Sequence, residues 1–185
     1  RDGKLVHFEA VGSKGADDPR PLEKDDLFRI YSMTKPITAT AAMQLYEQGK
    51  FHMNDPVHKF IPEFKDLTVL NEDGEQVPVK NHMTMQQLLS HTTGLSYGFD
   101  PVNDPVDKLY AEAKLWEQEN LDALMKTLAK LPLKFEPGSA WHYSVAVDVT
   151  GAVVERISGQ SFDEYLEEHL FEPLGMDDTF FELPA

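Results

Sequence analysis

The feature that most constrains this chain is a change of rhythm near Ser32. Before it, Lys4-Leu5-Val6-His7-Phe8-Glu9-Ala10-Val11 comes after an Asp2-Gly3 turn and predicts a strand over 4–12, with imperfect alternation. The stretch 13–21 reads as a polar loop with Gly15 and two prolines. After Ser32 the apolar residues recur at helical spacing. Ile37, Ala41, Ala42, Leu45 and Tyr46 predict a helix over 34–49, with Pro36 in its first turn and Gly49 as its stop. Pro56, Pro62, Gly74 and Pro78 break 51–79 into turns and short helical pieces. Further helices are expected at 84–91, with Thr84 as N-cap, and at about 106–116, 121–131, 145–157 and 162–170. The last of these opens on a capping-box pattern, Ser161 with Glu164 three residues later. No long strand is visible after Thr34. One strand and then a run of helices is an unusual composition for a complete α/β domain. A hairpin tip at Asp2-Gly3 also calls for a strand ahead of it, so the natural N-terminus is expected upstream.

Composition narrows the function classes. A chain of 185 residues with 41% hydrophobic and 26% charged side chains has the balance of a folded domain rather than a disordered one. The formal charge of -15 is spread along the chain. Such a surface repels phosphate backbones and anionic lipid, so neither nucleic acid nor a membrane is an expected partner. The absence of cysteine removes disulfides, thiolate zinc sites and a cysteine nucleophile, and it leaves the compartment open. The seven histidines are scattered without ligand spacing, and no Gly-rich phosphate loop occurs, so no metal and no cofactor is expected.

The sharpest local pattern is Ser32-Met33-Thr34-Lys35. Positions i and i+3 share a helix face, so an amine at Lys35 can meet a hydroxyl at Ser32. A serine is a poor nucleophile until a base takes its proton, and a helix N-terminus favours the developing alkoxide. By itself the pattern decides little, because on the order of one Ser-x-x-Lys arises by chance in a chain of this size. On this motif alone, a capping serine and a solvated lysine account for it better. A second serine pattern, Gly94-Leu95-Ser96-Tyr97-Gly98, fits the G-x-S-x-G elbow. That elbow needs a strand before it and a helix after it, and here 88–91 reads as helix while Pro101 interrupts any helix beyond Gly98. Ser96 is therefore read as a turn serine.

Four segments in order change the weight of Ser32. Leu27-Phe28-Arg29-Ile30-Tyr31-Ser32-Met33-Thr34-Lys35 resembles the nucleophile segment of class C β-lactamases, penicillin-binding proteins and family VIII carboxylesterases. Leu88-Leu89-Ser90-His91-Thr92-Thr93-Gly94-Leu95 is similar to the helical-domain signature of that family, in which His91 is expected to make backbone hydrogen bonds. Phe135-Glu136-Pro137-Gly138-Ser139-Ala140-Trp141-His142-Tyr143-Ser144 resembles the segment carrying its catalytic tyrosine. Leu174-Gly175-Met176-Asp177-Asp178-Thr179 is similar to a later motif. The resemblance runs from Gly3 to about Phe181.

It implies an α+β protein of the β-lactamase/transpeptidase type, an antiparallel sheet plus an all-helical domain. Residues 1–31 would belong to the sheet domain, 32–50 would form the nucleophile helix, and 51–185 would be mainly the helical domain. Sheet strands are expected beyond both ends, including the one carrying a third motif and the second oxyanion donor. Ser32 would attack the acyl carbon, with its own N–H as the first oxyanion donor. Lys35 and Tyr143 would share the general-base work, and Tyr143 would then protonate the leaving group. Class C β-lactamases carry Tyr-x-Asn where this chain has Tyr143-Ser144-Val145. Val145, at this substrate-binding position, has no donor or acceptor with which to hold a β-lactam amide. The expectation is a carboxylesterase acting on short-chain esters through an acyl-enzyme. The alternatives are a β-lactamase or D,D-peptidase-like enzyme, or a penicillin-binding module that acylates without turnover. The partner is a small ester or amide.

Overall fold

A computed structural model describes residues 1–183. The chain divides into two compact units, Arg1–Ser32 and the remainder from Met33.

In the first unit the strand expected over 4–12 does not form. The strands lie instead at β1 (Ser13–Gly15) and β2 (Asp18–Pro21), in the stretch that reads as a loop. They pair antiparallel, Ser13 with Pro21 and Gly15 with Asp18, and Leu22 N–H donates to Gly12 O at 3.1 Å. The physical reason is partnership: a strand exists only where another backbone accepts its hydrogen bonds. A two-stranded ribbon tolerates Pro19 and Pro21 because its outer edges need no donor.

From Met33 onward the structure is helical with one small hairpin. A 3-10 turn, Tyr31–Met33, runs straight into helix α1 (Thr34–Glu47), which buries Thr38, Ala41, Ala42 and Leu45. Two 3-10 turns, Val57–Lys59 and Pro62–Phe64, come next, as the prolines suggest. The hairpin β3 (Thr68–Leu70) with β4 (Gln76–Pro78) leaves no mark in the sequence pattern, because three-residue strands are too short to show a period. Helix α2 (Met85–Leu89) starts on a complete capping box: Thr84 Oγ1 accepts from Gln87 N–H, and Gln87 Oε1 accepts from Thr84 N–H at 3.0 Å. Helices α3 (Pro105–Glu112), α4 (Leu121–Leu128), α5 (Ala146–Ser158) and α6 (Phe162–Leu166) match the expected positions. A π turn, Glu167–Phe171, and a helical turn, Glu172–Leu174, complete the order.

The capping box expected at Ser161 is absent. Glu155, arriving from α5, accepts the Phe162 N–H at 2.8 Å, and the Ser161 hydroxyl bonds to Asp163 instead. A neighbouring helix has taken over a local cap.

Helix α5 is the axis of this unit. It buries Ala146, Val147, Val149, Thr150, Gly151, Ala152, Val153 and Val154, and packs against α1, α2, α4 and α6. A helix apolar on nearly all sides belongs in the middle of a core. Gly151 on α5 faces the Phe162 ring of α6, where a Cβ would come within 3.4 Å of it. The fold is thus mostly helical with small antiparallel hairpins, in keeping with the expected helical part of an α+β protein.

Candidate active site

The candidate site is framed by short connections, one of them strained. Tyr31 has φ +44, an uncommon value for a non-glycine residue, in the 3-10 turn that presents Ser32. Ser32 is exposed and Lys35 half-buried, one turn apart along the chain as the winding passes from 3-10 to α1. Tyr143 lies two residues before Val145, the N-cap of α5.

Within the larger unit, Lys35 points at two rings. Its Nζ is 4.7 Å from the centroid of Tyr143 and 5.4 Å from that of Tyr97, and the two rings are 5.3 Å apart. Tyr97 donates its hydroxyl proton to Asp148 Oδ2 at 3.3 Å. Burial by itself would lower the Lys35 ammonium, but hydrogen bonds with Tyr143 and Tyr97 outweigh it and hold Lys35 above its ordinary value. Burial first, and then the Asp148 carboxylate, push Tyr97 up to about 12. Burial likewise raises Asp148. At neutral pH Lys35 is therefore an ammonium and Tyr97 a phenol.

Of the residues expected at the site, the structure brings Lys35 and Tyr143 together, and the chain itself places Ser32 one turn before Lys35. Val145 is elsewhere. It has 0% exposure and belongs to the core packed around α5, so its side chain offers no surface to a substrate. Tyr97 and Asp148 are site residues that the sequence reading misses. Tyr97 is hidden inside the G-x-S-x-G pattern, and the one signal for Asp148 is a carboxylate in the first turn of an otherwise apolar helix.

Ser96 itself is wholly buried. Its hydroxyl donates to Asp107 Oδ1 at 2.5 Å and lies 3.2 Å from His142 Nε2. Lys134 Nζ reaches the same Asp107 oxygen at 2.9 Å and Asp104 at 2.8 Å. The residue types are those of a catalytic triad, but the wiring is not. In a triad the carboxylate orients the imidazole, whereas here it binds the serine and is neutralised by a lysine. The arrangement ties the 94–98 loop to α3. Among the described residues no group of three His, Cys, Asp or Glu side chains is placed to hold a metal ion. No helix among them is long and apolar enough to cross a membrane.

Comparison with known proteins decides the family: the profile described as Beta-lactamase matches residues 1–185. The chain belongs to the Beta-lactamase family. It is 37% identical over 183 residues to Esterase EstB of Burkholderia gladioli, covering 98% of this chain and 45% of that protein. It is 31% identical over 186 residues to the lovastatin esterase of Penicillium rubens, covering 97% of this chain and 46% of that protein. Among solved structures, EstCE1, described as a hydrolase with promiscuous acyltransferase activity, superposes with a TM-score of 0.78 at 31% identity. That match covers 95% of this chain and 45% of EstCE1. The chain thus spans about half the length of the curated relatives it matches, and the β-lactamase/transpeptidase fold stands.

Proposed function

We propose that this chain carries the acylating residues of a serine carboxylesterase. The observation that carries the reading is the seating of the Lys35 ammonium between Tyr143 and Tyr97, one turn beyond Ser32. A lysine held protonated is a poor base, so the proton of Ser32 is assigned to Tyr143 acting as a phenolate. Ser32 Oγ then adds to the ester carbonyl carbon, and the backbone N–H of Ser32 steadies the oxyanion. Tyr143 returns the proton to the leaving alkoxide. A water activated by the same phenolate opens the acyl-enzyme. Tyr97, pushed up to about 12, keeps its proton throughout and links Lys35 to Asp148 through its hydroxyl. The esterase names of two relatives support ester over β-lactam substrates. An alcohol taking the place of water would make the same acyl-enzyme a transferase, a reading favoured by the description of EstCE1.

Tyr143→Phe tests the assignment, since it keeps the ring and removes only the proton carrier. In the full-length protein, turnover of a nitrophenyl ester should fall ~10²–10⁴-fold with melting behaviour nearly unchanged. A variant that keeps most of the rate moves Tyr143 out of the chemistry.

A further inference from the structure

The two residues flanking Tyr143 are both tied to one residue. His142 N–H donates to the carbonyl of His91 at 2.9 Å, and Ser144 N–H donates to His91 Nδ1 at 3.2 Å. The His91 ring also sits 5.1 Å from the Tyr143 ring. His91 holds this position at φ +56, where few side chains settle. A backbone N–H aimed at Nδ1 requires that nitrogen to be bare, so the ring must be neutral with its proton on Nε2. Ser144 is wholly buried, and water cannot replace a lost acceptor there.

We infer that His91 is a positioning residue whose neutral form sets the peptide joining Tyr143 to Ser144, and that protonating it unseats Tyr143. The inference rests on the catalytic reading of Tyr143. A proton on Nδ1 would turn the acceptor into a donor facing the Ser144 N–H. The Ser144 hydroxyl, 3.3 Å from Nδ1, can accept a hydrogen bond from that proton, but the Ser144 N–H is then left with nothing to bind. The Tyr143–Ser144 peptide then has reason to rotate, and the phenol it carries moves from Lys35.

Two groups facing the ring oppose such protonation, Lys35 from α1 and His142 from the segment entering α5. The Tyr143 and Trp141 rings also face it, at 5.1 and 6.3 Å. Burial, then the Lys35 charge, then His142 hold His91 below its ordinary value. The neutral form therefore persists to mildly acidic pH, and activity is lost as pH falls through that lowered value.

The test uses the full-length enzyme and His91→Asn. Asparagine tolerates a positive φ, and its Oδ1 offers an acceptor that does not titrate. At low pH, log kcat/KM of the wild type should fall one proton more steeply than that of His91→Asn, a gap widening about tenfold per pH unit. His91→Leu, which has no acceptor, should lose on the order of 10²-fold even at neutral pH. Independently of activity, nitrogen NMR of the wild-type imidazole should show the Nε2–H tautomer at neutral pH. It should also show protonation over the range in which the extra slope appears. Equal acid slopes in wild type and His91→Asn, or an Nδ1–H tautomer at neutral pH, would overturn the inference. Failure of the Tyr143 assignment shows separately, as an unaffected Tyr143→Phe rate, while the tautomer measurement still reports on the His91–Ser144 bond.

Discussion

Ser32 and Ser96 show how little a residue type says without its surroundings. Ser96 sits in the more familiar motif, yet it has no exposed surface and spends its hydroxyl on Asp107. Ser32 is exposed at the head of a helix whose first turn carries a half-buried lysine. In the full-length protein, Ser32→Ala should abolish covalent labelling by a fluorophosphonate and Ser96→Ala should leave it nearly intact. Labelling that tracks Ser96 instead would reverse the assignment. Val145 makes the converse point. Its apolar character is legible as a departure from Tyr-x-Asn, but its burial is not. Val145→Asn would place an amide among apolar neighbours, and the expected cost is about 1–3 kcal/mol, read as a lower denaturation midpoint. An unchanged midpoint would mean the amide had found partners at the surface.

Connections between elements depend on a few charged side chains. Asp107 on α3 receives the Ser96 hydroxyl, the Asp100 N–H at 3.0 Å and the Lys134 ammonium, binding the loop before α3 and the 134 segment to one carboxylate. Burial would raise Asp107, but these hydrogen bonds outweigh it and hold it below the ordinary carboxylate range. A group depressed in the folded state contributes fully above its unfolded value, and that contribution disappears as pH falls through the folded one. Lys134→Met leaves the buried carboxylate without its counter-charge, and a loss of about 3 kcal/mol is expected near neutral pH. The loss should shrink in acid as Asp107 takes up its proton. Denaturant titrations at both pH values check this, and a pH-independent loss would point to packing alone. Gly94 illustrates a different restraint on elements. At φ +86, a Cβ there would collide with the Phe135 carbonyl, so the motif requires glycine for close approach rather than for flexibility.

At the scale of the molecule, apolar exposure is concentrated in the first unit. Leu5, Val6 and Val11 are 77–80% exposed, and Leu27, Phe28 and Tyr31 are exposed as well. Apolar surface left open to this extent seeks a partner. Residues 1–185 expressed by themselves should therefore self-associate and bind a hydrophobic dye, although the charge of -15 opposes association at low salt. Raising the ionic strength screens that charge and should shift the population toward larger species in light scattering. A monomer that stays dye-silent at high salt would contradict this.

What the sequence by itself determined was whatever depends on near neighbours along the chain. The helices α1, α2, α4 and α5, the Thr84 cap and the one-turn spacing of Ser32 and Lys35 all come from local periodicity and local hydrogen bonds, and all are legible. Four short motifs in order are enough to name the family. Only the tertiary structure decided matters that depend on segments distant in sequence. Strand pairing moved from 4–12 to 13–21 because backbone groups need partners that no alternation pattern supplies. The Ser161 cap yielded to Glu155 because α5 ends beside it. The company kept by Lys35 is likewise tertiary. Tyr97, Tyr143 and Asp148 lie far along the chain, and only the fold brings the two rings against the lysine and the carboxylate against Tyr97.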